Sequence, residues 1–291
     1  MQKFKTVVDS KQKLLDLKLK ETFRYRDLIF LFVKRDFVAQ YKQTILGYLW
    51  SIIQPLFTTV IYTVVFDSLA GLTTVDVAKA EGLKIPTLLF YMSGTICWGL
   101  FSGSLSVNSS VFAANSGIMG KVYYPRLVSP IASTLSQFVS FLIKFAMFFL
   151  IWIGCFIWGG YDMKFSPMLL TAPVCMLQLM LLGMGVGLTI TSLTTKYRDL
   201  NYLVGFGLSL LQYLTPVAYG LSLVQNAKPW VMNLYLCNPV TPIITTFRYA
   251  FFGVGYFNVG FYALSWIVTA LLLFIGLLLF SKTERTFMDT I

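Results

Sequence analysis

From Ile45 onward the chain alternates between apolar runs as long as a bilayer is thick and short stretches that carry most of its remaining charge. Six runs, at about 45–69, 87–107, 128–158, 168–193, 200–221 and 261–280, approach or exceed the roughly 20 residues a helix needs to cross a hydrocarbon core. The pattern predicts six transmembrane helices. The third run is the longest, and predicts a helix that extends beyond the bilayer or begins with a break at Pro130. Ahead of these runs, residues 1–44 form a basic arm. Within it Phe30, Val33, Phe37 and Tyr41 recur at helical spacing on one face while Lys34, Arg35 and Lys42 fall elsewhere, as in a helix lying in the membrane interface. Residues 222–260 contain Pro229, Pro239 and Pro242 yet keep an apolar block at 242–252, too greasy for a solvated loop. Short re-entrant helices fit better, with their backbone shielded from lipid. Gly99 with Gly103, and Gly183 with Gly187, are four apart inside runs and predict close helix packing. The fold class expected is an all-α integral membrane protein: an arm and interface helix over 1–44, then a six-helix transmembrane domain over 45–291, with no repeat or soluble second domain.

Composition agrees with the pattern. Of 291 residues 57% are hydrophobic and 12% charged, and the mean hydropathy is +0.72, more apolar surface than a water-soluble core can hide. The formal charge of +11 would suggest nucleic acid in a soluble chain, but 11 of the 23 Lys and Arg lie before Ile45. Attraction of such an arm to anionic lipid, at about 1 kcal/mol per basic side chain near the surface, accounts for it and makes nucleic acid an unneeded partner. An even number of crossings leaves both termini on one side. That side holds 17 basic residues, including Lys121, Arg126, Lys196, Arg198, Lys282 and Arg285, against 5 on the other, Lys79, Lys84, Lys164, Lys228 and Arg248. By the positive-inside rule both ends are cytoplasmic. No cleavable signal peptide is expected, since the first long apolar run starts only near Ile45.

Candidate chemistry is sparse. Histidine is absent, and Cys97, Cys155, Cys175 and Cys237 are scattered singly, so neither a metal site nor acid–base catalysis by histidine is expected. Gly183, Gly185 and Gly187 have the wrong spacing and setting for a phosphate-binding turn, and no Walker A sequence occurs. Any ATP used must be hydrolysed by another chain. The acidic residues fall at or beyond the ends of the runs, none paired mid-span as a proton relay requires. No catalytic residue is assigned. Lys144 is the exception, an ammonium near the middle of the third run. Two readings stand for it: contact with an anionic substrate group such as a pyrophosphate, or snorkelling and pairing with a carbonyl at a helix interface.

Arg35-Asp36, Tyr41-Lys42-Gln43-Thr44, Leu46-Gly47, Trp50, Gln54-Pro55 and Phe66 together resemble the amino-terminal signature of ABC-2 type permeases that export polysaccharides. Lys121-Val122-Tyr123-Tyr124-Pro125-Arg126 resembles that family's coupling segment, Tyr197-Arg198-Asp199-Leu200 its third landmark, and Asn238-Pro239 with Phe247-Arg248-Tyr249 its outer-loop landmark, followed by a tail with Glu284, Phe287 and Asp289. The landmarks cover nearly the whole chain in order; the arm is somewhat long and the 70–86 loop large beside the family pattern. The resemblance implies a homodimer bound to two copies of a cognate ATPase, which holds the ATP and magnesium, and moving a lipid-linked polysaccharide across a bacterial inner membrane. It places the coupling loop at 109–127, with Asn115, Lys121, Tyr123, Tyr124, Pro125 and Arg126 as contacts for the ATPase. Sugar is expected to slide over aromatic faces, with Tyr48, Trp50, Tyr62, Tyr202, Tyr213 and Tyr219 as candidates beside Lys144. O-antigen is the substrate class expected first, teichoic acid and capsule next, and export of drugs or small lipids is a separate alternative. A glycosyltransferase is disfavoured, because no acidic pair faces a donor site.

Overall fold

Long apolar helices dominate the computed structural model, which describes residues 19–69, 85–158, 160–161, 166–195, 197, 199–221, 229–253 and 255–287; no strand occurs among them. The arm before Leu19, most of the 70–86 loop, Lys196, Arg198 and Asp289 lie outside the described residues.

The arm enters through α1 (Leu19–Arg24) and α2 (Arg26–Tyr41). An elbow follows in which Gln43 (φ 64°) and Gly47 (φ 51°) take left-handed conformations, breaking the helix before the first crossing. That crossing is a 3-10 turn at Gly47–Leu49, α3 (Trp50–Tyr62) and a π-helical end at Thr63–Leu69. Then come α4 (Thr87–Ser109), the short α5 (Val111–Met119), α6 (Val128–Ile157), α7 (Ala172–Thr194) with a 3-10 lead-in at Pro167–Thr171, and α8 (Leu200–Tyr213). Two short helices, α9 (Pro229–Cys237) and α10 (Val240–Phe252), precede the last long one, α11 (Val259–Phe287). Five helical stretches are long and apolar enough to cross a membrane among the described residues: 47–66, 87–109, 128–157, 167–194 and 259–284. The chain is a multi-pass membrane protein.

The expected span at 200–221 needs correction. Its helix stops at Tyr213, and 14 residues reach only about 21 Å. Pro216 carries no N–H to continue the ladder, and residues 214–221 instead turn, with Val217 N–H donating to the Thr215 carbonyl.

Close backbone approach holds the centre. A Cβ at Gly183 would meet the Phe101 carbonyl at 2.6 Å, and one at Gly187 would meet Asn108 of α4 at 2.6 Å; one at Gly185 would land on the Leu273 backbone of α11 at 2.7 Å. Small residues on α7 therefore let α4 and α11 pack against it from two sides. Gly103 sits against Gln137, whereas Gly99 has open space around it and is no packing notch. Polar side chains tie the same helices together. Asn108 donates to Thr134 of α6 (2.7 Å), Gln178 of α7 to Ser265 of α11 (2.8 Å), and the Trp152 indole of α6 to the Phe251 carbonyl of α10 (3.0 Å). Helix α10 is buried along almost its whole length, with Phe247 and Phe251 packed on Phe148. This matches the tucked helix expected from the apolar block at 242–252.

Candidate functional site

At the arm side of the bundle, α2 lies along the first half of α6 and against α5. Ile29 and Phe32 are buried, and the Phe32 ring meets Tyr124 edge to face at 5.6 Å. Arg35 donates to Asn115 Oδ1 (3.0 Å) and, through Nε, to Asp36 Oδ1 (2.8 Å); its guanidinium also lies 4.4 Å over the Phe32 ring. Asp36 Oδ2 accepts from Ser133 (3.3 Å), and Gln40 Oε1 accepts from Ser140 (3.2 Å). Each contact is modest, and a half-exposed Arg–Asp pair is worth about 0–1 kcal/mol. Together they fix three elements in one register.

The contacting face of α2 is thus Ile29, Phe32, Asp36 and Gln40, about 100° around the helix from the stripe of Phe30, Val33, Phe37 and Tyr41. Phe30 is 69% exposed. Farther along the stripe Phe37 stacks on Tyr48 at 5.3 Å, with Tyr41 tilted against both, so its end packs on the elbow. Lys34 is exposed.

The expected coupling residues divide into two groups. Asn115, Tyr124 and Pro125 are buried and Arg126 half-buried, while Lys121, Val122 and Tyr123 are exposed. Asn115 donates back to the Val111 carbonyl (3.0 Å), and the Tyr124 hydroxyl lies 3.0 Å from that of Ser129. Arg126 does more than set orientation: its Nε lies 3.8 Å from Glu284 Oε1, and Nη1 donates to the Glu284 carbonyl, joining this loop to the end of α11. Phe112 stacks on Phe280 at 4.5 Å and strengthens the same joint.

The aromatic candidates also divide. Tyr48, Trp50, Tyr202 and Tyr213 are exposed, Tyr202 at 85%. They belong to α3 and α8 or their leads, the least buried of the long segments, and no residue of α8 is fully buried. Tyr62 is half-buried, accepting from Gln212 of α8 (2.9 Å) with its ring on Phe66 and Tyr91. Tyr219 donates to the Tyr213 carbonyl (2.9 Å) and its ring meets Tyr235. These two serve packing here. Behind α8 a cavity of about 260 Å³, lined only by apolar residues such as Leu105, Ile190 and Val204, separates it from α4 and α7.

Arg248 is the residue that sequence reasoning undervalued, since it was counted there as an outer-loop charge. It is 4% exposed. Its guanidinium donates to the carbonyls of Pro216 (2.7 Å), Val217 (2.8 Å) and Tyr219 (3.3 Å) and to Ser93 Oγ (3.3 Å), and lies 3.9 Å over the Phe90 ring. It binds α10 to the turn after α8 and to the start of α4. A Cβ at Gly94 would collide with both the guanidinium and the Val217 carbonyl. A lone arginine in the apolar block at 242–252 was the available signal, because a charge there needs partners.

Lys144 is half-buried on α6. At about 100° per residue it falls within roughly 40° of Ser133, Gln137 and Ser140, and about 160° from Leu142 and Ala146, which are exposed. It closes a polar stripe that faces α2 and α4.

A model of the ABC-2 type transporter family matches residues 27–252. Two O-antigen export system permease proteins RfbA of Klebsiella pneumoniae are 26% and 25% identical over 284 residues, each alignment covering 94% of this chain and 99% of the relative. The O-antigen export system permease protein RfbA of Myxococcus xanthus is 23% identical over 235 residues, 80% of this chain and 84% of the relative.

Proposed function

Since this chain belongs to the ABC-2 type transporter family, whose membrane subunits are transport components rather than catalysts, we propose that it is the permease of an ATP-driven exporter of lipid-linked polysaccharide, with O-antigen as the substrate. It works as a homodimer in a bacterial inner membrane, with both termini cytoplasmic, and two copies of a separate ATPase supply the energy. The observation that carries this reading is the pairing of near full-length similarity to permeases named for O-antigen export with an exposed turn at Lys121, Val122 and Tyr123 flanked by Asn115 and Tyr124, which contact α2.

The mechanism follows from rigidity. A push on Lys121, Val122 and Tyr123 reaches α5, and the Arg35–Asn115 bond with the Phe32–Tyr124 contact carries it into α2. Because α2 ends at an elbow with two left-handed residues, its displacement tilts α3. The exposed aromatic faces of α3 and α8, opposed across a two-fold axis to those of a second copy, form a conduit on which sugars slide without a fixed hydrogen-bond register.

The test is genetic and biochemical. Cells whose chain carries alanine at Lys121, Tyr123 and Arg126 should insert the permease normally, retain ATPase binding capacity in part, and accumulate undelivered lipid-linked glycan inside. Normal surface glycan in those cells would refute the reading.

A further inference from the structure

The polar stripe on α6 runs past its contacts with α2 and into the apolar section of the helix. Helix α6 is 30 residues and so about 45 Å long, beyond the roughly 30 Å of hydrocarbon. Its first half carries Ser129, Ser133, Thr134, Ser136, Gln137 and Ser140; from Phe141 to Ile157 it is apolar except for Lys144. The ammonium therefore lies one turn inside the apolar section rather than at its centre.

Ser133 and Ser140 touch Asp36 and Gln40 of α2, and Gln137 lies over Gly103 of α4. Lys144 continues this face one turn farther. There α2 has ended at Tyr41; the elbow at 42–49, where Lys42 is exposed, leads into α3, which also packs against α6. Neither Lys144 nor the Gln137 amide has a hydrogen-bond or ion-pair partner among the described residues. Asp36, the acid on the contacting face of α2, sits about 16 Å down α6, opposite Ser133, and is already paired with Arg35. A seam that offers an ammonium and an amide, with its carboxylate among the described residues already paired to Arg35, at the polar end of the apolar section of α6 selects an anion carried by a lipid.

We propose that Lys144 and Gln137 form a binding site for the phosphate ester of a lipid, entered from the headgroup level beside the elbow. Two lipids bring that chemistry: a membrane phospholipid, or the diphosphate that links a glycan to a polyisoprenyl carrier. In the second case the site deepens the export reading, by naming where the substrate's anionic group is held at the start of its passage.

The experiment uses the full chain, purified in an uncharged detergent and freed of lipid, titrated with geranylgeranyl diphosphate, with phosphatidylglycerol and with geranylgeraniol as the uncharged control. At least one of the two phosphate probes should bind saturably and the alcohol should not. Lys144→Met should weaken phosphate binding roughly tenfold or more and Gln137→Leu less, while Lys144→Arg stays within about threefold of the parent. Lys282→Met, which removes an exposed charge elsewhere, should change nothing. Retention by Lys144→Arg, with unchanged elution on size exclusion, separates a lost ligand group from a lost fold. Preference for the diphosphate assigns the site to the substrate and preference for phosphatidylglycerol to the membrane; either upholds it. Equal binding of both phosphates by the parent and Lys144→Met, or no saturable binding by the parent, overturns it. Binding is scored without transport, so a failed export assay leaves this site standing and a failed binding assay leaves the export reading standing.

Discussion

Arg35 of α2 and Asn115 of α5 are 80 residues apart in sequence and joined by a 3.0 Å hydrogen bond. The bond ties α2 to α5, and under the proposed mechanism the two move together. Truncating either partner should cost about 0.5–1.5 kcal/mol of stability, and the double variant Arg35→Ala with Asn115→Ala should cost less than the sum. Measured with the partner ATPase present, both single variants should lower glycan export more than ATP turnover. Strict additivity in thermal unfolding, with export intact, would show the bond to be incidental.

Arg248 should be among the residues least tolerant of change. Arg248→Ala leaves the buried Pro216 and Val217 carbonyls without their donor, at about 1–3 kcal/mol each. The purified variant should unfold at a clearly lower temperature in detergent. Gly94→Ala should be destabilising too, because its Cβ would occupy the guanidinium's position. An unchanged unfolding temperature in Arg248→Ala would contradict the bracing role.

Gly185 of α7 and Gly276 of α11 face each other, and a side chain at either position would enter the other helix's backbone. Gly276→Val should separate the two helices and reduce the yield of folded protein, whereas Gly99→Ala, which meets open space, should be silent. Comparing the monodisperse yields of the two variants checks both expectations.

Much of the bundle was readable because hydrophobic length is a local property. The helices at 87–109, 128–157 and 167–194 begin and end within a few residues of the apolar runs that predict them. What escaped was set by partners distant in sequence. The run from Leu200 to Leu221 is mostly apolar, yet its helix ends at Tyr213, where the following carbonyls turn toward Arg248. Helix α2 carries two sets of apolar positions, and only the location of Tyr124 decides that Ile29 and Phe32, rather than Phe30, face the protein. Which side chains of the expected coupling segment point inward depends on Ser129 and Glu284, which no local pattern reveals. Tyr62 and Tyr219 were grouped with the open aromatics because composition does not disclose that Gln212 and the Tyr213 carbonyl hold them.

The Arg126 joint with α11 can be tested in two steps. Its ion pair with Glu284 is partly exposed and long, so Glu284→Gln should cost under about 1 kcal/mol. Arg126→Ala also removes the donor to the Glu284 carbonyl and should cost more. Equal effects of the two variants on unfolding temperature would show that the backbone contact adds nothing.

The central claim is that this chain is a conduit driven from the arm side by a separate ATPase. The most direct measurement is movement of a labelled lipid-linked O-antigen in proteoliposomes containing the permease, with or without its ATPase. Translocation should require both proteins and ATP, and should fall when Lys121, Tyr123 and Arg126 are replaced. Equal translocation without the ATPase, or ATP turnover by the permease alone, would contradict it.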